Sequence, residues 1–118
     1  MATVIVMLAP RDEATRAALA TSLIEAVAEG YRIPTGRVNV YLQEFTPANR
    51  FGGAIEVTVM VHALVRPIEL KRALVRQVAD AVETRLQVRR DQINIILQDT
   101  ATENSGVGGR LAIDKQTG

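Results

Sequence analysis

The sequence predicts an α/β fold built from tandem β-α-β units, giving a four-stranded mixed sheet with two helices on one face. Three observations predict it. The first is an internal repeat. A shift of 55 residues, without a gap, lays Thr3-Val4 on Thr58-Val59, Arg11 on Arg66, Ala18-Leu19 on Ala73-Leu74 and Ala26-Val27 on Ala81-Val82. The same shift lays Asn39 on Asn94, Leu42-Gln43 on Leu97-Gln98, Asn49 on Asn104 and Gly53 on Gly108. One shift that keeps apolar, polar and glycine positions together marks two copies of one folding unit. The second observation is that each copy reads strand, helix, strand. The third is size: 118 residues, 47% of them hydrophobic, suit one compact domain. The expected organisation is a single domain over 1–118, with repeat unit one at 1–55, repeat unit two at 56–113 and a tail at 114–118.

Thr3 to Leu8 is short, β-branched and apolar, and reads as a buried strand. Pro10-Arg11-Asp12-Glu13 opens a helix, with Asp12 as the N-cap. Leu19, Leu23 and Val27 form its apolar stripe, and Gly30 and Pro34 are its stop signals. Arg37 to Glu44 alternates, with Val38, Val40 and Leu42 on one face and Asn39, Tyr41 and Gln43 on the other, as a strand does. In the second copy Glu56 to Leu64 is a strand. Pro67 suits a first helical turn, and Leu70, Leu74, Val78 and Val82 form the stripe that follows. Ile93 to Gln98 is the closing strand. Asp99 to Gly109 is a Gly- and Asn-rich loop, and Arg110 to Ile113 forms a last short strand.

A helix between neighbouring strands favours a parallel pair with a right-handed crossover. One layer of helices covers one sheet face. Ile5, Met7 and Met60 lie on the other, so that face is expected to be buried by further subunits. A ferredoxin-like domain has the same element order, and order alone does not separate the two.

Composition excludes several classes of function. A formal net charge of +1 provides no field for nucleic acid or an anionic membrane. Aromatics at 3% are too few for base-stacking platforms. No apolar run reaches the ~18 residues of a membrane span. Without Cys there is no thiolate chemistry, which fits a cytoplasmic location, and a single His excludes a multi-histidine metal site. No metal or cofactor is expected.

Asn104 to Ala112 (NSGVGGRLA) resembles the closing hairpin of 4-oxalocrotonate tautomerase. The strand at the extreme N-terminus, the Arg before each helix, Pro34 entering the second strand, and Phe51-Gly52-Gly53 at the end of the first copy resemble the fused members of the tautomerase superfamily. The resemblance implies a trimer and small 2-oxo acid or unsaturated acid substrates. It also implies an N-terminal proline whose secondary amine moves the proton, and arginines that hold the substrate carboxylate. Here residue 2 is Ala, and no Pro precedes Pro10. Aligned without gaps from Arg11, Met1 stands where the proline would be; one deletion would put Ala2 there. The catalytic candidates are therefore the terminal amine of Met1, or that of Ala2 if Met is removed. Either amine is primary, and it lacks the ring that fixes a proline nitrogen's direction.

Arg11 and Arg66 are the candidate carboxylate ligands. Each stands between a strand end and a helix start, and Arg binds carboxylates bidentately. Asn39 and Asn94, kept in both copies, are candidates to hydrogen-bond substrate, at a position where the resemblance implies an Arg. Arg37 and Arg50 lie near enough in sequence to supply the charge. Tyr41 and His62 read as packing residues, and Glu44 and Asp99 as turn or salt-bridge residues. The function expected is binding of a small carboxylate ligand by a homotrimer, with proline-dependent tautomerase activity weak or absent. The alternative is a non-catalytic trimeric scaffold or small-anion binder.

Overall fold

The computed structural model describes residues 1–115. The order is β1 (Ala2–Leu8), α1 (Glu13–Tyr31), β2 (Val38–Glu44), β3 (Val57–Leu64), α2 (Ile68–Leu86), β4 (Ile93–Thr100), β5 (Gly106–Val107) and β6 (Arg110–Leu111), with short 3-10 turns between. The main sheet runs β2-β1-β3-β4; β1 pairs with β2 and β3 with β4 in parallel, and β1 meets β3 antiparallel. The tandem units therefore join back to back along β1 and β3.

The helices form where local chemistry starts and stops them. The Asp12 carboxylate accepts the Thr15 backbone N–H at 2.8 Å, satisfying one free donor of the first turn of α1. Both helices end on a residue in the left-handed region, Arg32 (φ 56) and Gln87 (φ 55), which the shift superposes. Gly30 is not the stop expected of it; it lies inside α1. Pro67 stands one residue before α2 as its N-cap.

Ala2, Val4, Val6 and Leu8 of β1 and Val57, Val59, Val61 and Ala63 of β3 are buried under the helices. They pack with Leu19, Leu23 and Val27 of α1 and Leu74, Val78 and Val82 of α2. Each valine or leucine among them contributes about 1.5–3 kcal/mol on burial.

The other sheet face is uncovered within the chain, and strand register arranges it in rows. The middle row is Tyr41, Ile5, Met60 and Ile96. On either side lie Asn39, Thr3, His62 and Gln98, and Gln43, Met7, Thr58 and Asn94. The shift exchanges these two outer rows, so the sheet has a local two-fold relation through the Ile5–Met60 pair.

Some expected boundaries move. Thr35–Arg37 is a 3-10 turn, so β2 begins at Val38. β4 runs on to Thr100, because Ala63 and Leu64 of β3 still offer it partners at Asp99 and Thr100. The loop expected over 99–109 contains a 3-10 turn at Thr102–Asn104 and the strand β5, which pairs with β6. The last strand stops at Leu111 and gives way to a 3-10 turn over Ala112–Asp114. Of the expected tail 114–118, residues 116–118 lie outside the described residues.

Candidate active site

β1 carries the chain from one end of the sheet to the other, about 20 Å at roughly 3.3 Å per residue. The candidate residues consequently divide between the two ends. Met1, Asn39, Arg37 and Arg66 stand at the end where β1 starts; Arg11 and Asn94 stand at the end where it finishes. Within one chain Arg11 does not join the Met1 amine.

At the Met1 end, a 310 Å³ cavity is lined by Met1, Thr3, His62 and Leu64 on the sheet and by Asn104 to Val107 on the closing loop. Alternation decides which N-terminal residue faces it. Met1 shares the uncovered face with Thr3, and its sulfur accepts the Asn39 Nδ2 donor at 3.0 Å. Ala2 points the other way and is fully buried in the core. Burial first, then the charges of Arg37, Arg66 and Lys115, lower the pKa of the Met1 amine below its usual 8.0. Each makes the protonated amine less favourable, so more of it is the neutral base near pH 7.

Arg66 is anchored here. Its Nη1 donates to the Leu64 carbonyl at 2.9 Å, and its guanidinium lies 5.2 Å from the centre of the Tyr31 ring. The ring is buried and the stack supports the cation's position. Lys115, which the sequence placed in the tail, joins this cationic group. No local pattern announces it, because it is brought back by the turns after β6.

At the opposite end, Arg11 is fixed through its backbone. Its N–H donates to Glu44 Oε2 at 2.6 Å and its carbonyl accepts from Arg16 Nη1 at 2.6 Å. Its side-chain Nε is buried with no hydrogen-bond partner among the described residues. Arg16 approaches Glu44 at 3.8 Å, and the shifted pair Lys71–Asp99 makes the same bridge at 2.6 Å. Glu44 and Asp99 thus tie each helix start to its own unit's second strand. Asn94 is exposed, and so is Tyr41, at 59%. Among the described residues no cluster of three or more His, Asp or Glu forms a metal site. Among the described residues no helix is long and apolar enough to cross a membrane.

The tautomerase family profile, described as "Tautomerase enzyme", matches residues 57–114, the second unit. Solved structures match nearly the whole chain. A fused 4-OT solved as an asymmetric trimer superposes with a TM-score of 0.90 at 21% identity, covering 94% of this chain and 96% of that one. A fused 4-OT solved as a symmetric trimer gives 0.87 at 25% identity over the same shares. The second unit thus matches the tautomerase family, and the whole chain has the fold of the fused 4-OT structures.

The superfamily fold extends to a malonate semialdehyde decarboxylase, with a TM-score of 0.80 at 17% identity, covering 92% of each chain. No curated protein matches the sequence closely. Within this chain the N-terminal position facing the Met1-end cavity is taken by methionine. The equivalent position of the second unit is Glu56, whose nitrogen is a peptide amide donating to the Gln92 carbonyl at 2.8 Å. That nitrogen has no base chemistry to offer.

Proposed function

We propose that this protein is a member of the tautomerase superfamily that binds small anionic 2-oxo or unsaturated acids at the Met1 end, with tautomerase activity weak or absent. One feature carries the reading: the charges of Arg37, Arg66 and Lys115 all act on the Met1 amine and disfavour its protonated form. That group of cations suits a carboxylate, and charge-assisted hydrogen bonds supply its affinity. In this reading Asn39, which now donates to the Met1 sulfur, turns to a carbonyl oxygen of the ligand. The primary amine keeps a lone pair for proton transfer but swings about the Met1 Cα, so positioning is lost. Arg11 and Asn94 serve an anion at the other end, or reach a Met1-end ligand only from another protomer.

Assembly is proposed as a homotrimer. The uncovered row Tyr41, Ile5, Met60 and Ile96 supports it, and trimers are described for the fused 4-OT relatives. A second reading, a trimeric scaffold without catalysis, is favoured by one contact. The Met1 side chain lines its own cavity and occupies the Asn39 donor.

Titration calorimetry with malonate and phenylpyruvate tests the binding. Removing a charged hydrogen bond costs roughly 1.5–3 kcal/mol, so Arg66→Ala should weaken both ligands about tenfold or more. Equal affinities in Arg66→Ala and the unaltered protein would overturn the assignment. Binding without turnover of phenylenolpyruvate would favour the scaffold.

A further inference from the structure

The end of the sheet opposite Met1 holds a second cavity, of 330 Å³, within the ~300–1,000 Å³ range of small-molecule pockets. The repeat relates it to the first. Met7 and Thr58 line it where His62 and Thr3 line the other, and Asn49 stands for Asn104. The chemistry differs at the decisive position, where Glu56 replaces Met1. A carboxylate now stands where the Met1 thioether lines the other cavity.

Glu56 is paired. Arg50 Nη1 donates to its Oε2 at 3.0 Å, and Arg50 Nη2 donates to the Ile55 carbonyl. Glu56 Oε1 has no hydrogen-bond partner among the described residues. Both side chains remain over a third exposed, at 35% and 40%, and both line the cavity. Beside Asn49 and Thr58, the wall carries the apolar side chains of Met7, Phe45, Phe51 and Ile55. Phe51 stands at the rim, 90% exposed within the chain.

We infer that this cavity binds an α-amino acid with an apolar side chain, its ammonium on Glu56 and its carboxylate on Arg50. A ligand with only a carboxylate would draw Arg50 from Glu56 and leave Glu56 uncompensated. A ligand with only an ammonium would do the reverse. A zwitterion inserted into the pair satisfies both groups, and a charge left without its partner is what costs most. The apolar side chain then rests on Phe45, Phe51 and Ile55. The Met1 end disfavours the same ligand, because the charges of Arg37, Arg66 and Lys115 repel an ammonium. One chain thus sorts ligands by charge at its two ends.

The test is amide NMR on the full-length, assembled protein with three probes: L-phenylalanine, phenylpyruvate (no ammonium) and phenethylamine (no carboxylate). Phenylalanine should shift the amides of Gly52, Gly53, Ile55 and Thr58, leaving Ser105 and Gly106 in place. The other two should bind at those first amides about tenfold more weakly, each lacking one charged contact. Glu56→Gln should weaken phenylalanine about tenfold while leaving phenylpyruvate no weaker, and Arg50→Gln should spare phenethylamine instead. The three-probe comparison stands on the unaltered protein if either variant fails to fold. Phenylpyruvate binding there as tightly as phenylalanine would overturn the inference. So would phenylalanine shifting only the Met1 end, or shifting nothing.

Discussion

Gly30 of α1 lies against the backbone of Leu74 in α2, so closely that a Cβ on Gly30 would stand 2.8 Å from the Leu74 Cα. The contact is with backbone, which no side-chain rotation relieves. The glycine is there for helix–helix approach, where the last turn of α1 meets the first half of α2.

Gly30→Ala should therefore destabilise the fold even though Ala is the better helix former. Overpacking costs typically 1–3 kcal/mol, against about 1 kcal/mol gained in propensity. A lowered thermal midpoint is the expected result. A raised one would mean that the helices separate without cost.

Met60→Glu should dissociate the proposed trimer. Met60 sits in the middle row between Ile5 and Ile96, and a carboxylate buried there has no partner in the row. Sedimentation velocity should show monomers at micromolar concentration with helical content unchanged. A trimer that persists would place the interface elsewhere.

The Met1 amine should titrate below 8.0 in protein whose mass confirms an intact Met1. Arg37→Ala and Arg66→Ala should each move it back up, which ¹⁵N-detected titration reads directly. The folded state holds this proton less tightly than the unfolded chain. Stability therefore rises with pH between the folded value and 8.0, and falls as pH drops through that window. A value at or above 8.0 would remove the cationic cluster from the amine's surroundings.

Restoring a proline should be sensitive to register. A Pro inserted between Met1 and Ala2 takes the cavity-facing place once Met is removed. Ala2→Pro puts the ring where a fully buried, core-facing methyl now lies. Phenylenolpyruvate tautomerisation should rise in the first variant and not in the second. A gain confined to Ala2→Pro would reverse the register. No gain in either, with Met removal confirmed by mass, would favour the scaffold reading.

Much of this was legible in the sequence because its causes are local or periodic. Asp12 caps a helix through a residue three positions away. The alternation of Val38, Val40 and Leu42 against Asn39, Tyr41 and Gln43 follows from the strand's two-residue period. The 55-residue repeat set both units and hence the mixed sheet. The same shift lays Met1 on Glu56 and Ala2 on Val57.

What only the tertiary structure decided depends on chain direction and on approach between distant segments. Arg11 and Arg66 look equivalent in sequence, yet antiparallel pairing of β1 with β3 sends them to opposite ends of the sheet. Only Arg66 then joins the Met1 amine, together with Arg37 and Lys115. Gly30 reads as a helix stop until Leu74 is seen against it. Met1 and Ala2 are interchangeable in an alignment with one deletion, but a strand side chain has two faces to choose from. Packing gives the core to Ala2 and the cavity to Met1, because burial of the helix-facing row fixes the register of every residue in β1.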